Sequence, residues 1–343
     1  LTVIPESKSM DPLARLQAAL RDEHTGIVLV LAQAYRVSHS TSASRLESLS
    51  RQQMRHFKWL GEHVVDGGGI PTLERAQIDA WPDGAEAGFG MVSAALDAAI
   101  ARYETWPSTS EATDRLVARI LSDKIEHRAK LARIWADWRA QPSAVVVETG
   151  TDALPVLQSE ELQSFFEFAI GHEYEVILQY LHHAFLLKDQ AAGRVLEDVA
   201  IDEMQHLGWL SEMLIERGGS PKWDAKRLEY HTDAVRMLEL DQGRELEVAK
   251  QYETMAAATR DAEVKALFER IRSHEDYHDG LLGELVTRLK STRPEEAPAP
   301  VTAATGRCPY HGFTIGGLLG VSQGDAHSHD LGPRAQQQEV NHV

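Results

Sequence analysis

Along most of the chain, apolar residues recur at i, i+3, i+4 and i+7, and there is no sustained alternation of apolar with polar residues. That period gathers the apolar side chains of a segment onto one stripe of an α-helix, and no segment reads as a half-buried strand. The pattern resolves into eight helices, four within about 11–138 and four within about 157–290. "QPSAVVVETGTDALP" at 141–155 interrupts it and reads as a linker. After Lys290, "STRPEEAPAPVTAATG" cannot hold a helix, because its prolines lack an amide hydrogen and crowd the preceding turn. The last stretch is rich in histidine, glycine and glutamine and has too little apolar surface to offset the entropy of ordering. The expected architecture is all-α: two tandem four-helix units at 11–140 and 157–290, a linker at 141–156 and a flexible tail at 291–343.

The two units share a sequence. "VAIDEMQHLGWLSEMLIERGGSP" at 199–221 overlays "SRQQMRHFKWLGEHVVDGGGIP" at 50–71 with an offset of 150. Met204, His206, Trp209, Leu210, Glu212 and Pro221 meet Met54, His56, Trp59, Leu60, Glu62 and Pro71. "QYETMAA" (251–257) has an echo in "RYETWPS" (102–108), and "IRSHEDYH" (271–278) in "ILSDKIEH" (120–127). The chain therefore reads as a tandem duplication of one four-helix unit. One difference bears on chemistry: Glu203 of the later copy is Gln53 in the earlier one.

Composition narrows the classes. A chain of 343 residues, 43% hydrophobic and 25% charged, has the balance of a soluble globular protein with room for two domains. A formal net charge of −17 disfavours nucleic acid and anionic membranes as partners and enriches cations near the surface, although solubility alone also accounts for it. The single cysteine, Cys308, excludes a disulfide framework, a cysteine zinc site and an iron–sulfur cluster, and fits a cytoplasmic setting. "GIVLVLA" at 26–32 follows Asp22 and Glu23, has no basic leader and is too short to span a bilayer. Neither an export signal nor a membrane span is expected.

The chemistry concentrates in the second unit. Glu173 is followed seven residues later by Tyr180, and Glu203 three later by His206. Glu245 is followed seven later by Tyr252, and Glu275 three later by His278. The glutamates of each pair are 30 residues apart, and each tyrosine precedes the next glutamate by 23. The midpoints, Lys188 and Arg260, fall in the turn-like "KDQAAG" and "ATRDAE". Each glutamate then stands about 22 Å from its turn at ~1.5 Å per residue, so the two in one hairpin share a level. Four carboxylates and two imidazoles can meet at one depth of a bundle. A Glu and a His at i and i+3 share a face, and seven residues is nearly two turns. Each tyrosine is therefore expected to lean back towards the glutamate of its own helix.

Four buried carboxylates without partners carry a prohibitive cost. Two divalent cations remove it, and the donors suit a di-iron or di-manganese site held by Glu173, Glu203, His206, Glu245, Glu275 and His278. An isolated Glu-x-x-His is common on solvated helices; the matched intervals set these two apart. On the third helix Glu239, Glu247 and Glu253 compete with Glu245, and internal symmetry alone selects it. Tyr180 and Tyr252 are candidates for bonding the ligand carboxylates or passing an electron, or for plain core packing with a satisfied hydroxyl.

"HEYEVILQYLHHAFLL" (172–187) and "IDEMQHLGWLSEMLIERGG" (201–219) resemble the first two helices of bacterioferritin and its relatives in the ferritin-like superfamily. The resemblance covers about 157–290. It implies a ferritin-like four-helix bundle, two iron ions on the six residues above, and oxidation of Fe(II) or reduction of O2 or peroxide there. The rubrerythrin branch often adds a cysteine-rich module that feeds electrons; this chain has none, so a reductant would come from another protein. The expected function is a di-iron oxidoreductase of ferroxidase or peroxidase type, with Fe(II) and O2 or H2O2 as its small partners and manganese as the alternative metal. A di-iron oxygenase acting on an organic substrate needs an apolar pocket beside the metals. A metal-buffering or scaffold protein is the non-enzymatic alternative.

Transferred to the first unit, the pattern falls on Glu23, Gln53, His56, Leu96 or neighbouring Asp97, Lys124 and His127. A lysine ammonium has no lone pair for a metal, so no dinuclear site is expected here. Lys124 is expected to pair with Glu23, and the unit to act as an internal partner in place of a second subunit. One residual ion on Glu23, His56 and His127 is the alternative. Met54 and Met204 hold the position at which bacterioferritin ligates haem across its two-fold; two core methionines are expected instead of haem.

In the tail, "HGFTIGGLLGV" at 311–321 isolates Phe313, Ile315 and Leu318 for pockets of a partner. It resembles the cargo-loading peptides of encapsulin systems, which share a Thr-(Ile/Val)-Gly-x-Leu core after a flexible linker. That implies docking inside an encapsulin shell within the cytoplasm; folding back onto the bundle is the alternative. "CPYH" (308–311) and "HSH" (327–329) carry metal donors but read as polar tail. A homo-oligomer beyond the internal pseudo-dimer stays open.

Overall fold

The structure, a computed structural model, describes residues 11–37, 41–78, 84–140, 160–224 and 228–291. The linker, Cys308 and the tail with its segment 311–321 lie outside the described residues. Among the described residues there are eight helices and no strand. They are α1 (Pro12–Arg36), α2 (Thr41–Asp66), α3 (Ala85–Glu104), α4 (Glu111–Ala140), α5 (Glu160–Leu186), α6 (Gln190–Glu216), α7 (Ala234–Ala258) and α8 (Ala262–Ser291). None is long and apolar enough to cross a membrane.

The helices pair as α1 with α2 and α3 with α4, then α5 with α6 and α7 with α8. Contacts of α1 with α3 and α2 with α4 close the first bundle; α5 with α7 and α6 with α8 close the second. The turn after α5 occupies 187–189 and the turn after α7 occupies 259–261, at the two expected midpoints. Local chemistry fixes both. The carboxylate of Asp189 accepts from the amides of Ala191 and Ala192, 3.0 Å each, and that of Asp261 from Glu263 at 3.0 Å and Val264 at 3.1 Å. Each satisfies amides that the first turn of a helix leaves without an intrahelical partner. The two copies of the repeated stretch also end alike. Gly68 and Gly218 have φ of 77° and 78°, and the amides of Gly69 and Gly219 return to the carbonyls of Val64 and Leu214 at 2.9 Å. A left-handed residue at this place stops a helix with its last carbonyls paired, and glycine takes it without a Cβ penalty.

Each unit covers the other. Ile27, Val28, Phe57 and Leu60 from the first unit and Tyr174, Ile177, Leu207 and Leu210 from the second belong to one continuous buried cluster. The ring of Phe185 lies on Gly61, where an added Cβ would stand 2.9 Å from its nearest ring carbon. Polar contacts tie the seam. Tyr174 Oη lies 2.7 Å from His24 Nε2, Arg75 Nε donates to the same hydroxyl at 3.1 Å, and Lys58 Nζ reaches Glu197 at 2.8 Å. Met54 and Met204 face a common apolar cavity of about 90 Å3 in this seam.

Candidate metal centre

Four helices bring the six sequence-selected residues to one depth. α5 supplies Glu173, α6 Glu203 and His206, α7 Glu245, and α8 Glu275 and His278; all six are buried. They form two donor sets, Glu173–Glu203–His206–Glu275 and Glu203–Glu245–Glu275–His278, and within each set one ligand atom per residue lies within 4.8 Å of the others. Glu203 and Glu275 belong to both sets. The arrangement thus offers two adjacent cation positions, each with one imidazole and one private carboxylate, joined by two shared carboxylates. No other such group occurs among the described residues. Glu239 is partly exposed and Glu247 and Glu253 are exposed, so Glu245 is the one glutamate of α7 that reaches the cluster.

Hydrogen bonding does not satisfy this cluster. Nδ1 of His206 lies 2.7 Å from Glu203 Oε2, 3.1 Å from Glu275 Oε1 and 3.4 Å from Glu173 Oε2. Nδ1 of His278 lies 3.0 Å from Glu203 Oε1 and 3.5 Å from Glu275 Oε2. One ring N–H cannot serve several oxygens at once. Glu173 Oε2, both oxygens of Glu203 and Glu275 Oε1 have no hydrogen-bond partner. Nitrogen lone pairs and carboxylate oxygens converging on a common point fit a hard or borderline cation.

The titration behaviour agrees. Burial, then Glu203, pushes Glu173 up to about 8, and burial with Glu203 and Glu245 pushes Glu275 well above the usual carboxylate range. Glu203 is held low against its burial by His278 and His206. Both imidazoles are raised against their burial by the carboxylates, Glu203 foremost. Without cations the cluster holds extra protons to limit its charge; cations would replace them.

The tyrosines correct one expectation. Tyr180 Oη donates to Glu245 and Tyr252 Oη donates to Glu173, so each serves the opposite helix and not its own. The reason is helix direction. Glu173 beside Tyr252 and Tyr180 beside Glu245 make α5 and α7 antiparallel. Seven residues along one helix then match seven back along its neighbour.

Three further groups escaped the spacing argument. Asp202 Oδ2 lies 3.5 Å from His278 Nε2, and His274 Nδ1 lies 2.9 Å from His206 Nε2. Each immediately precedes a shared glutamate. A buried His183–Asp241 pair, 2.8 Å, lies one helical turn before Glu245 on α7. "D-E-x-x-H", "H-E-x-x-H" and an aspartate four residues before Glu245 were signals on the chain for all three.

The equivalent place in the first unit is closed by an ion pair. Lys124 Nζ lies 2.7 Å from Glu23 Oε2, Tyr103 Oη donates to Glu23 Oε1 at 3.0 Å, and His56 Nδ1 is 3.4 Å from Glu23 Oε2. Burial alone would raise Glu23; Lys124 and His56 hold it at about 2. His127 turns to Gln52 at 2.7 Å, and buried Gln53 packs over Gly26. Leu96 is buried among apolar side chains, while Asp97 is exposed and 3.5 Å from Arg128. No metal group of the kind in the second unit forms here among the described residues.

Comparison with known proteins bears on the second unit. Residues 167–292 match the family model described as "Ferritin-like domain". Among solved structures, the chain is similar to wild-type KatB, described as a manganese catalase from Anabaena, with 18% identity, 45% of this chain and 88% of that one covered, and a TM-score of 0.36. No curated protein matches. Residues 167–292 thus resemble a ferritin-like domain, and among the described residues of that stretch the helices α5–α8 carry buried glutamates and histidines that could hold two metal ions.

Proposed function

We propose that the chain is a di-iron carboxylate oxidoreductase of the ferroxidase or peroxidase type, oxidising Fe(II) with O2 or H2O2. The observation that carries this reading is the pair of buried donor sets sharing Glu203 and Glu275. Glu173 and His206 would hold one ion, Glu245 and His278 the other. Iron bound there would supply one-electron chemistry between Fe(II) and the oxidant. Hard carboxylate oxygens favour the higher charge, and two shared carboxylates keep the positions adjacent. Tyr180 and Tyr252 orient Glu245 and Glu173 and keep a proton on the phenol, since burial first and the nearby glutamates next raise both well above the ordinary phenol range. Tight burial excludes bulk water.

Surface charge supports a cation substrate. An open pocket of about 450 Å3 between α5 and α7 is lined by His172, the residue before Glu173, by Glu175, Glu229, Glu239 and Glu247, and by Arg244, which pairs with Glu175 at 2.8 Å and Glu229 at 3.8 Å. The net charge of −17 favours Fe(II) over anions near the surface. We further propose that segment 311–321 docks the chain inside an encapsulin shell; its resemblance to cargo-loading peptides is the support.

The test is metal content followed by turnover. The purified chain should carry two metal ions, and aerobic Fe(II) should give Fe(III) absorbance. Glu203→Ala should abolish turnover and Gln53→Ala leave it unchanged. Equal loss in both variants would refute the assignment of the site to the second unit.

A further inference from the structure

We propose that electrons from a soluble one-electron reductant enter the metal centre at the outer face of α6 and α8, through the indole of Trp209 and the imidazole of His274 to the ring of His206. This rests on the metal reading above and deepens it. Turnover of the peroxidase type leaves ferric ions, and each must take up one electron before the next cycle. In that step a ferric ion becomes ferrous, the reductant loses one electron, and no bond or proton changes place. The chain holds one cysteine, too few for an iron–sulfur donor of its own.

The centre is closed to direct contact. All six donor residues are no more than 1% exposed, and Tyr180 and Tyr252 are fully buried. Electron tunnelling falls steeply with distance, so a donor outside needs groups that shorten the gap. Trp209 and His274 do this. The ring of half-buried Trp209 lies 5.6 Å from that of His206 and 5.8 Å from that of His274, centre to centre. His274 Nδ1 in turn lies 2.9 Å from His206 Nε2, on the opposite edge of the ring from the nitrogen that faces the carboxylates. On the solvent side, exposed Arg270 lies 3.8 Å from the centre of the indole. Tyr277 is another exposed ring beside a ligand, 6.0 Å from His278, and is the competing entry.

The first unit supplies the comparison. His56 keeps its tryptophan there, with Trp59 at 5.8 Å, so the indole by itself belongs to packing that both copies share. The place of His274 is taken by Asp123, 3.3 Å from His56 Nε2 and bonded by Arg119 at 3.1 Å. A carboxylate is a common acceptor behind a metal-bound imidazole. The unit with the donor sets has an aromatic ring in that place instead, and the matching arginine, Arg270, lies on the indole. This exchange joins Trp209, His274 and His206 into one continuous contact from the surface to the ligand.

The experiment is anaerobic stopped-flow mixing of ferric-loaded protein with reduced methyl viologen, read by loss of the viologen colour and of the ferric bands. Iron content and midpoint potential are measured for each variant beside it. Trp209→Leu and His274→Asn should each slow electron uptake by about 10–100-fold, the range for groups behind a metal ligand, with iron content and potential unchanged. Asparagine keeps a neutral acceptor for His206 and removes only the ring. Trp209→Phe restores a ring and should recover most of the rate. Trp59→Leu removes the same contact in the first unit and should leave the rate as it is. An unchanged rate in Trp209→Leu, an equal loss in Trp59→Leu, a loss confined to Tyr277→Leu, or a loss accounted for by a shifted potential would overturn this inference alone. A chain that binds no iron would overturn the metal reading and this inference with it.

Discussion

Replacing Lys124 with methionine isolates the idea that an ammonium has taken the place of metal in the first unit. The side chain is 2% exposed and its partner Glu23 is 0% exposed, so water cannot rescue a carboxylate left alone. Glu23 sits at about 2 in the folded chain against an ordinary 4.5. A gap of that size corresponds to about 3 kcal/mol favouring the ionised, paired form. Breaking a buried pair from one side costs about 3–5 kcal/mol, because the survivor keeps its desolvation penalty. Lys124→Met should therefore lower the melting temperature by about 10 °C, at ~2–4 °C per kcal/mol for a unit of this size. Adding Glu23→Gln removes the stranded charge and should recover most of the loss. Calorimetry and circular dichroism read the stability, and elemental analysis should still find two metals in every variant. The pH arm has a definite sign. A depressed carboxyl contributes fully above its unfolded value and loses that contribution as pH falls through its folded value. The gap between wild type and Lys124→Met should be full above about pH 4.5 and shrink towards pH 2. A single variant within about 0.5 kcal/mol of wild type, or a double variant no more stable than the single, would refute the account.

Two other outcomes probe the seam between the units. Gly61→Ala would place a Cβ 2.9 Å from the ring of Phe185, so the variant should lose about 1–3 kcal/mol in denaturant titrations, as overpacked cores do. His24 is lowered to about 4, by burial first and Arg75 next, so the folded chain keeps it neutral. Its contribution is full above an unfolded value near 6.5 and declines as pH falls towards 4; His24→Gln should flatten the stability profile across that window.

Helix count, turn positions and the depth of the cluster were legible because each depends on spacing along one chain. Lys188 and Arg260 marked the turns, since equal arms from a turn are a property of helical rise alone. The crossed tyrosines were not legible. Which helix a phenol meets depends on how α5 and α7 run past each other, and no interval within either hairpin encodes that. The motifs that hold Asp202 and His274 stood on the chain, but their partners were not legible for a related reason: each lies across from α6 to α8 or back, about seventy residues away. The pairing of Lys124 with Glu23 was readable, because a buried cation at a ligand position must find an anion.

The changes in the first unit make sense only as a set. Tyr252 bonds Glu173, and its counterpart Tyr103 still bonds Glu23. The other crossed pair, Tyr180 with Glu245, has no counterpart in the first unit: Val30 and Leu96 stand at the matching positions, buried in one apolar cluster. Losing the glutamate alone would strand a buried phenol, and losing the phenol alone would strand a carboxylate, each at about 1–3 kcal/mol. Replacing both by apolar groups avoids either penalty. The remaining carboxylate then needs a single positive charge, which Lys124 supplies at 2.7 Å, and Gln53 removes the shared carboxylate that would have required a second. Charge balance in this unit is thereby built into the chain, where the proposed function leaves that of the second unit to bound ions. The first unit can keep its apolar face against α5 and α6 whether or not metal is available.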